Sequence, residues 1–209
     1  YNGKVLPDAK GFLLNRLMRV GRVAFAFLLV VAIPAVPILY ANQQERHLKN
    51  FRIVESGKLY RSGQLSPEGL KRAIHDHGIK TVVSLRFRPH PNGKLPDEWE
   101  EAYCKGIGIK HIRIRPEGYS VPGSDEVPAR VPINEFLKIA RDPERQPVLI
   151  HCNAGMHRTG AFCAVYRIDV QGWRNDDAIA EMEAIGYDNI ENETDVRDFL
   201  KNYKATPRP

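Results

Sequence analysis

A histidine and a cysteine, His151-Cys152, are followed five residues later by Arg158-Thr159-Gly160. The apolar run Val148-Leu149-Ile150 leads in, and an amphipathic stretch leads out. That order reads as a buried strand, a tight loop and a helix N-terminus. Such a loop points backbone N–H groups at one spot, where the helix dipole favours an anion. A cysteine there has a lowered pKa and serves as a thiolate nucleophile. An arginine six positions after it can close over the same spot as a bidentate fork for phosphate. Nucleophile, anion cradle and guanidinium in one loop are the parts of phosphoryl transfer through cysteine.

Each residue of the loop then has a role to fill. Cys152 attacks phosphorus. Arg158 binds two phosphate oxygens and stabilises transition-state charge, and a cation at a helix start is otherwise disfavoured by the dipole. Asn153, Ala154, Gly155, Met156, His157 and Arg158 form the phosphate-binding loop, and Gly155 lets the backbone turn inward. Thr159 is placed to hydrogen-bond the cysteine sulfur, or to cap the helix, or both. Gly160 allows helix and strand to pack closely. His157 lies at the rim, either touching substrate or exposed and unengaged. A general acid must come from elsewhere to protonate the leaving oxygen and then activate water. The segment from Arg115 to Val131 has no periodicity and carries Glu117, Asp125 and Glu126.

His-Cys-x5-Arg-Thr-Gly resembles the signature of cysteine-based protein tyrosine and dual-specificity phosphatases. The stretch from Phe51 to Arg86, with Leu59-Tyr60-Arg61-Ser62-Gly63-Gln64 and Ile79-Lys80-Thr81-Val82-Val83-Ser84-Leu85-Arg86, is similar to the atypical dual-specificity group. That group includes plant and fungal enzymes and bacterial relatives. Tyr166-Arg167 and Gly172-Trp173 fit it too, so the likeness covers residues 50–203. The resemblance implies a cysteinyl-phosphate intermediate with no metal and no other cofactor. It implies that His151 orients the loop by hydrogen bonds, and that the acid is an aspartate on an earlier loop. Asp125, 27 residues before Cys152, is the best match by type and position, with Glu126 the runner-up. Relatives acting on inositol phosphates often carry lysines inside the loop, where this chain has Asn153 and Met156. The expected substrate is therefore a phosphorylated protein, as phosphotyrosine, or a small phosphomonoester. Phosphoinositide or inositol (pyro)phosphate hydrolysis is the alternative, as is a catalytically weak pseudophosphatase that binds phosphorylated partners. Sulfur transfer and arsenate reduction also use a cysteine in an anion loop, but the Arg-Thr-Gly helix start and the late position of the loop favour a phosphatase.

The elements that must position this loop can be read on either side of it. Short strands are expected over Phe51 to Val54, Lys58 to Tyr60, Thr81 to Leu85, Ile109 to Ile114 and Val148 to Ile150. A helix starts at Ser66-Pro67 and stops at Gly78, with Ser66 as N-cap. Others span Asp97 to Cys104, Pro132 to Ala140, Thr159 to Val170, an Asn175-Asp176-Asp177-capped run to Ile185, and a Thr194-capped run to Tyr203. Between them, Arg86 to Pro96 reads as a loop. Strands alternating with helices predict an α/β fold with a central, mostly parallel sheet flanked by helices. Arg86 would pair with the acid loop, approach substrate or form a structural salt bridge. Arg61-Ser62 would frame the pocket on its other flank.

The 209 residues suffice for one such catalytic domain, 51–209, plus an extra segment. Net charge is +6, but residues 1–49 hold +5 of it, so the basic balance argues against nucleic-acid binding. Three cysteines, Cys104, Cys152 and Cys163, make no disulfide framework and show no metal-ligand spacing. Residues 1–22 form a basic flank. Residues 23–40, Val23 to Tyr40, are 18 uncharged positions interrupted by Pro34 and Pro37. They reach the lower limit for a transmembrane helix. A single-pass anchor is expected, with residues 41–50 as linker and the catalytic domain on the outer, periplasmic side. A cleaved signal peptide and a buried core helix are the competing readings.

Overall fold

Val148–His151 is the strand on which the sheet is centred. In the computed structural model, which describes residues 18–35 except 24, 29, 31 and 32, and 47–206 except 89–91 and 188–189, it is strand β5. Before it come β1 (Arg52–Glu55), β2 (Leu59–Ser62), β3 (Thr81–Ser84) and β4 (Lys110–Arg113). The order across the sheet is β1-β2-β5-β3-β4. Only the β1–β2 pair is antiparallel; β2, β5, β3 and β4 run parallel. Every residue of β2, β3 and β5 is buried, as in a parallel sheet covered on both faces, although Arg61, Ser62, Thr81, Ser84 and His151 are polar.

The side chains of the parallel strands divide between two cores. Leu59, Val83, Val148 and Ile150 face a cluster with α4 (Arg130–Arg141), α5 (His157–Asp169), α6 (Asn175–Ala184) and α7 (Thr194–Lys201). Tyr60, Val82 and Leu149 face the other way, onto α2 (Pro67–His77) and Cys104 of α3 (Glu98–Gly106). Helix α5 is buried from Thr159 to Asp169, as befits a helix enclosed by sheet and helices. Cys104 and Cys163 are buried packing cysteines, and burial pushes their thiols up to about 12 and about 11.

All five strands and six helices expected in this part of the chain are present, with shifted ends. Ser66 caps α2 by accepting from the Gly69 N–H at 3.1 Å, Pro67 opens the helix, and Gly78 closes it with φ +62°. Two caps differ. Asn175 does not cap its own helix; its amide donates to the carbonyls of Leu200, Lys201 and Tyr203 and ties α6 to the end of α7. Glu193 takes the N-cap position of α7, and Thr194 is its first helical residue.

Helix α1 (Met18–Ala35) is an 18-residue helix of mean hydropathy 1.8, with none of its described residues buried. It starts five residues earlier than the expected span, taking in Arg19 and Arg22, and positions 36–40 of that span lie outside the described residues. Most of the basic flank and positions 41–46 of the expected linker lie outside them too. The chain divides between Arg46 and His47. The last four linker positions are thus packed on the catalytic unit: the His47 ring bonds the Ser66 hydroxyl, and the Lys49 carbonyl accepts from Gly63 N–H.

Candidate active site

The loop from Cys152 to Arg158 leaves β5 at its C-terminal end, between β2 and β3, where the strand order reverses and α/β sheets bind ligands. Four successive carbonyls of the loop are held from outside. The Cys152 carbonyl faces Nδ1 of His151 at 3.3 Å. The Asn153 carbonyl accepts from the Gln64 N–H at 3.0 Å, and the Ala154 carbonyl from the Asn50 amide at 2.8 Å. The Gly155 carbonyl accepts from Arg61 Nη2 at 2.7 Å. With the carbonyls turned out, the loop N–H groups are free to face inward, which is what an anion cradle requires.

Gly155 makes this turn possible. Its φ is +80°, and a Cβ there would lie 2.4 Å from the Gly63 nitrogen. Gly63 answers it, since a Cβ on Gly63 would meet the Ala154 carbonyl oxygen at 2.9 Å. Loop and β2 end therefore touch backbone to backbone.

Cys152 is buried, and its sulfur accepts the Gly155 N–H at 3.2 Å. Burial opposes the thiolate, but the Thr159 hydroxyl and the N–H groups of Thr159, Gly155 and Ala154 outweigh it and hold the thiol below its usual range. The Thr159 hydroxyl is itself fully buried and completes no hydrogen bond of ordinary geometry, so it is a donor waiting on the sulfur. Arg158 is exposed. Its guanidinium lies 4.7 Å from the centre of the Phe87 ring, with Nη1 3.4 Å from the Leu85 carbonyl. Arg115 lies over the same ring at 5.9 Å.

A cavity of about 340 Å³ opens beside Arg158, walled by Phe87, Tyr119, Tyr187 and His157. Its carboxylates are Glu117, Glu193 and Asp195. Glu193 accepts from the Tyr187 hydroxyl and Asp195 from the Val196 N–H, which leaves Glu117, paired loosely with Arg115 at 3.7 Å, as the one beside Arg158 without a short bond. Asp125 and Glu126 are exposed on the same loop and do not line this cavity.

A family model described as "DSP-PTPase phosphatase fused to NAD+ Kinase" matches residues 31–198. The chain belongs to the DSP-PTPase phosphatases. It is 30% identical to an inositol diphosphatase, DSP3 of Arabidopsis thaliana, over 127 residues, 59% of this chain and 56% of that protein. It is 45% identical to the dual specificity protein phosphatase TpbA of Pseudomonas aeruginosa over 73 residues, 33% of this chain and 32% of that one. The matched stretches thus span about half or less of these relatives. The catalytic core of yeast Siw14, a PP-IP phosphatase, superposes with TM-score 0.58 at 24% identity, covering 75% of this chain and 86% of that one. The crystal structure of TpbA gives 0.55 at 25% identity, covering 74% and 85%.

Within this DSP-PTPase loop the remaining residues fall into place. His157 is engaged: its ring packs on Tyr187 with centroids 4.6 Å apart. Met156 points at Gly186, whose missing Cβ leaves room for the sulfur. Arg86 forms no salt bridge with the acid loop but donates from Nη1 to the Asn153 side chain at 2.5 Å. Arg61 does not frame the pocket; it is 2% exposed and holds the loop from behind. Asn50 had no signal in the sequence beyond polar type, and Gln64 stood only as the end of the stretch that carries the family likeness.

A further group sits behind Cys152. His151 Nε2 lies 2.7 Å from Glu100 Oε1, and His111 Nε2 lies 3.0 Å from the same oxygen. By donor type these three residues could hold a metal ion, and no spacing in the sequence announces them. Both imidazole nitrogens are already committed to one carboxylate oxygen, the geometry of a hydrogen-bonded charge network. Burial would raise the Glu100 carboxyl, but His111 and His151 bring it down to about 2. Burial likewise disfavours charge on His151, and Glu100 reverses this and raises its pKa.

Proposed function

We propose that the chain is a metal-independent, cysteine-dependent phosphatase of phosphomonoesters, with Cys152 as nucleophile and Arg158 and the loop N–H groups as the anion site. The observation that carries this reading is the lowered thiol of Cys152 inside a loop whose Cys152 to Gly155 carbonyls are held from outside. The Cys152 thiolate attacks phosphorus, the bond to the leaving oxygen breaks, and that oxygen takes a proton from the acid. Water then attacks the phosphocysteine, giving its proton to the same carboxylate, and the S–P bond breaks to return thiolate and inorganic phosphate. Thr159 donates to the departing sulfur. Arg158 swings from Phe87 onto the phosphoryl oxygens, whose charge repays the lost ring contact.

The acid belongs to the loop between β4 and α4. Asp125 is the proposed donor on type and position. Glu117 is the competitor, because it lines the cavity beside Arg158. Hydrolysis of an aryl phosphate decides both points. Cys152→Ser should abolish turnover, and Arg158→Lys should reduce it by about a hundredfold or more. The rate should rise with pH as the thiolate forms and fall as the acid loses its proton. Asp125→Asn should remove the falling limb; if Glu117→Gln removes it instead, Glu117 is the acid. Undiminished turnover in EDTA is expected, and its loss there would sink the metal-free mechanism.

For the substrate we favour phosphotyrosine. The aromatic walls Phe87, Tyr119 and Tyr187 suit an aryl ring, and the loop lacks lysines. The likeness to TpbA supports this reading, and a solved structure of a TpbA variant is a complex with phosphotyrosine. Inositol pyrophosphate is the second reading. Arg86 and Arg115 near Arg158 favour it, as does the likeness to inositol diphosphatases. The kcat/KM ratio for a phosphotyrosine peptide against an inositol pyrophosphate separates them.

We also propose that α1 is a membrane anchor with the catalytic unit on the outer side. Its length, apolarity and basic start support a span, and a signal sequence has the same features. An anchored protein stays in the membrane pellet after alkaline extraction and is cut by protease added from the outer side; a processed one is released.

A further inference from the structure

The Glu100 carboxylate is 1% exposed and uses both oxygens on side chains that reach the phosphate loop. Oε1 faces His151, whose other ring nitrogen faces the carbonyl of Cys152. Oε2 accepts from the Gln64 amide at 2.8 Å, and the Gln64 backbone N–H donates to the carbonyl of Asn153. One carboxylate in α3 therefore controls two adjacent loop carbonyls by two separate arms. The first arm also fixes a protonation state. A carboxylate oxygen and a carbonyl oxygen only accept hydrogen bonds, so both ring nitrogens of His151 must carry protons to meet them. A neutral ring would press a lone pair against an oxygen inside a buried site.

We propose that Glu100 is a positioning residue of the phosphate loop, holding the Cys152 and Asn153 carbonyls through His151 and Gln64 and keeping His151 an imidazolium next to the nucleophile. This rests on Cys152 being the nucleophile. A positive ring against the Cys152 carbonyl adds to the field that favours the thiolate, and the paired carboxylate keeps that charge tolerable in a buried place. The other charged or titratable groups facing the pair are His111 and Arg113 from β4, and Asp97 and Cys104 from the α3 segment. Asp97 is held by Arg113 at 3.0 Å and by the Ser84 hydroxyl, and it lies 3.9 Å from His111. Cys104 is a neutral thiol, pushed up to about 12 by burial and by Glu100. The Asp97–Arg113 pair leaves Glu100 as the carboxylate that balances His151.

Two measurements test the proposal without needing turnover, so they stand apart from the phosphatase reading. In the ¹⁵N-labelled wild-type chain, both ring nitrogens of His151 should be protonated at pH 7.5, about one unit above the usual histidine value. A single unprotonated ring nitrogen at that pH overturns the proposal. The second is alkylation of Cys152 by iodoacetamide as a function of pH, followed by peptide mass mapping. Glu100→Gln, which keeps the size but removes the charge and replaces one of the two acceptor oxygens with a donor, should move the thiolate midpoint up by about one pH unit. His151→Gln should move it as far, and the double variant no further. Gln64→Ala should leave the midpoint in place and weaken binding of inorganic phosphate several-fold, because it releases only the Asn153 arm. An unmoved midpoint in Glu100→Gln, or additive shifts in the double variant, overturns the assignment. A variant that does not fold leaves the wild-type nitrogen spectrum as the deciding measurement.

Discussion

At the residue scale, the site depends on atoms that never touch substrate. Gly155→Ala adds a single methyl, yet the backbone of Ser62-Gly63 occupies its place and φ is +80°. The loop would have to open, so oxyanion affinity should fall by at least tenfold while the fold persists; a phosphate titration by calorimetry checks this. Arg61→Met would remove the partner of the Gly155 carbonyl in a buried place, at a cost of about 1–3 kcal/mol that urea unfolding would read. Glu100 gives a pH signature of its own. Its carboxyl titrates at about 2 in the folded chain against a usual 4.5, so folding favours the ionised form. That contribution is fully present above the usual value and is lost as pH falls through about 2. The melting temperature of the wild type should therefore drop more steeply below pH 4.5 than that of Glu100→Gln.

At the scale of elements, local chemistry accounts for most of what the sequence could reveal. Ser66-Pro67 and Gly78 bracket α2 because capping and left-handed closure are decided within a few residues. Thr81 to Leu85 and Val148 to Ile150 announce themselves as buried strands by their β-branched and apolar residues. The loop from Cys152 to Arg158, between a buried strand and a helix start, was legible for the same reason, being one short segment. Its supports were not. Asn50, Arg61 and Gln64 meet the loop across some 90 to 100 positions, and Glu100 meets His151 across 51. No periodicity or cap predicts such pairings. The acid loop belongs to the same class, since its position against Arg158 depends on how it packs over α7 through Tyr119 and Phe199, whose rings lie 5.1 Å apart. Asn175 shows how elements lock together: one amide serves three carbonyls at the end of α7. Asn175→Ala should cost about 1–3 kcal/mol and, because α7 borders the Arg158 cavity, should raise KM more than it lowers kcat; chemical denaturation and steady-state kinetics read the two effects.

At the scale of the whole molecule, the chain divides into residues 1–46 and 47–209, and Cys152, Arg158 and the loop between them lie in the second unit. Removing residues 1–46 should leave melting temperature and aryl phosphate turnover unchanged while abolishing any membrane retention. Extending the cut to residue 51 should be different in kind. It would remove Asn50, which holds the Ala154 carbonyl, and Lys49, which receives Gly63 N–H, so phosphate affinity should collapse in a chain that still contains every strand and helix of the sheet.

The strand order sets a timetable for synthesis. β2 and β3 are consecutive along the chain but not neighbours in the sheet; each pairs with β5. Without β5, the sheet is two separate pairs, β1–β2 and β3–β4, each with an edge left unpaired at the slot β5 fills. The last strand to arrive fills the slot and brings the cysteine with it. Chains released before that moment carry exposed edges of the kind that associate with one another. Filling the slot closes the sheet and buries the Cys152 side chain in one event.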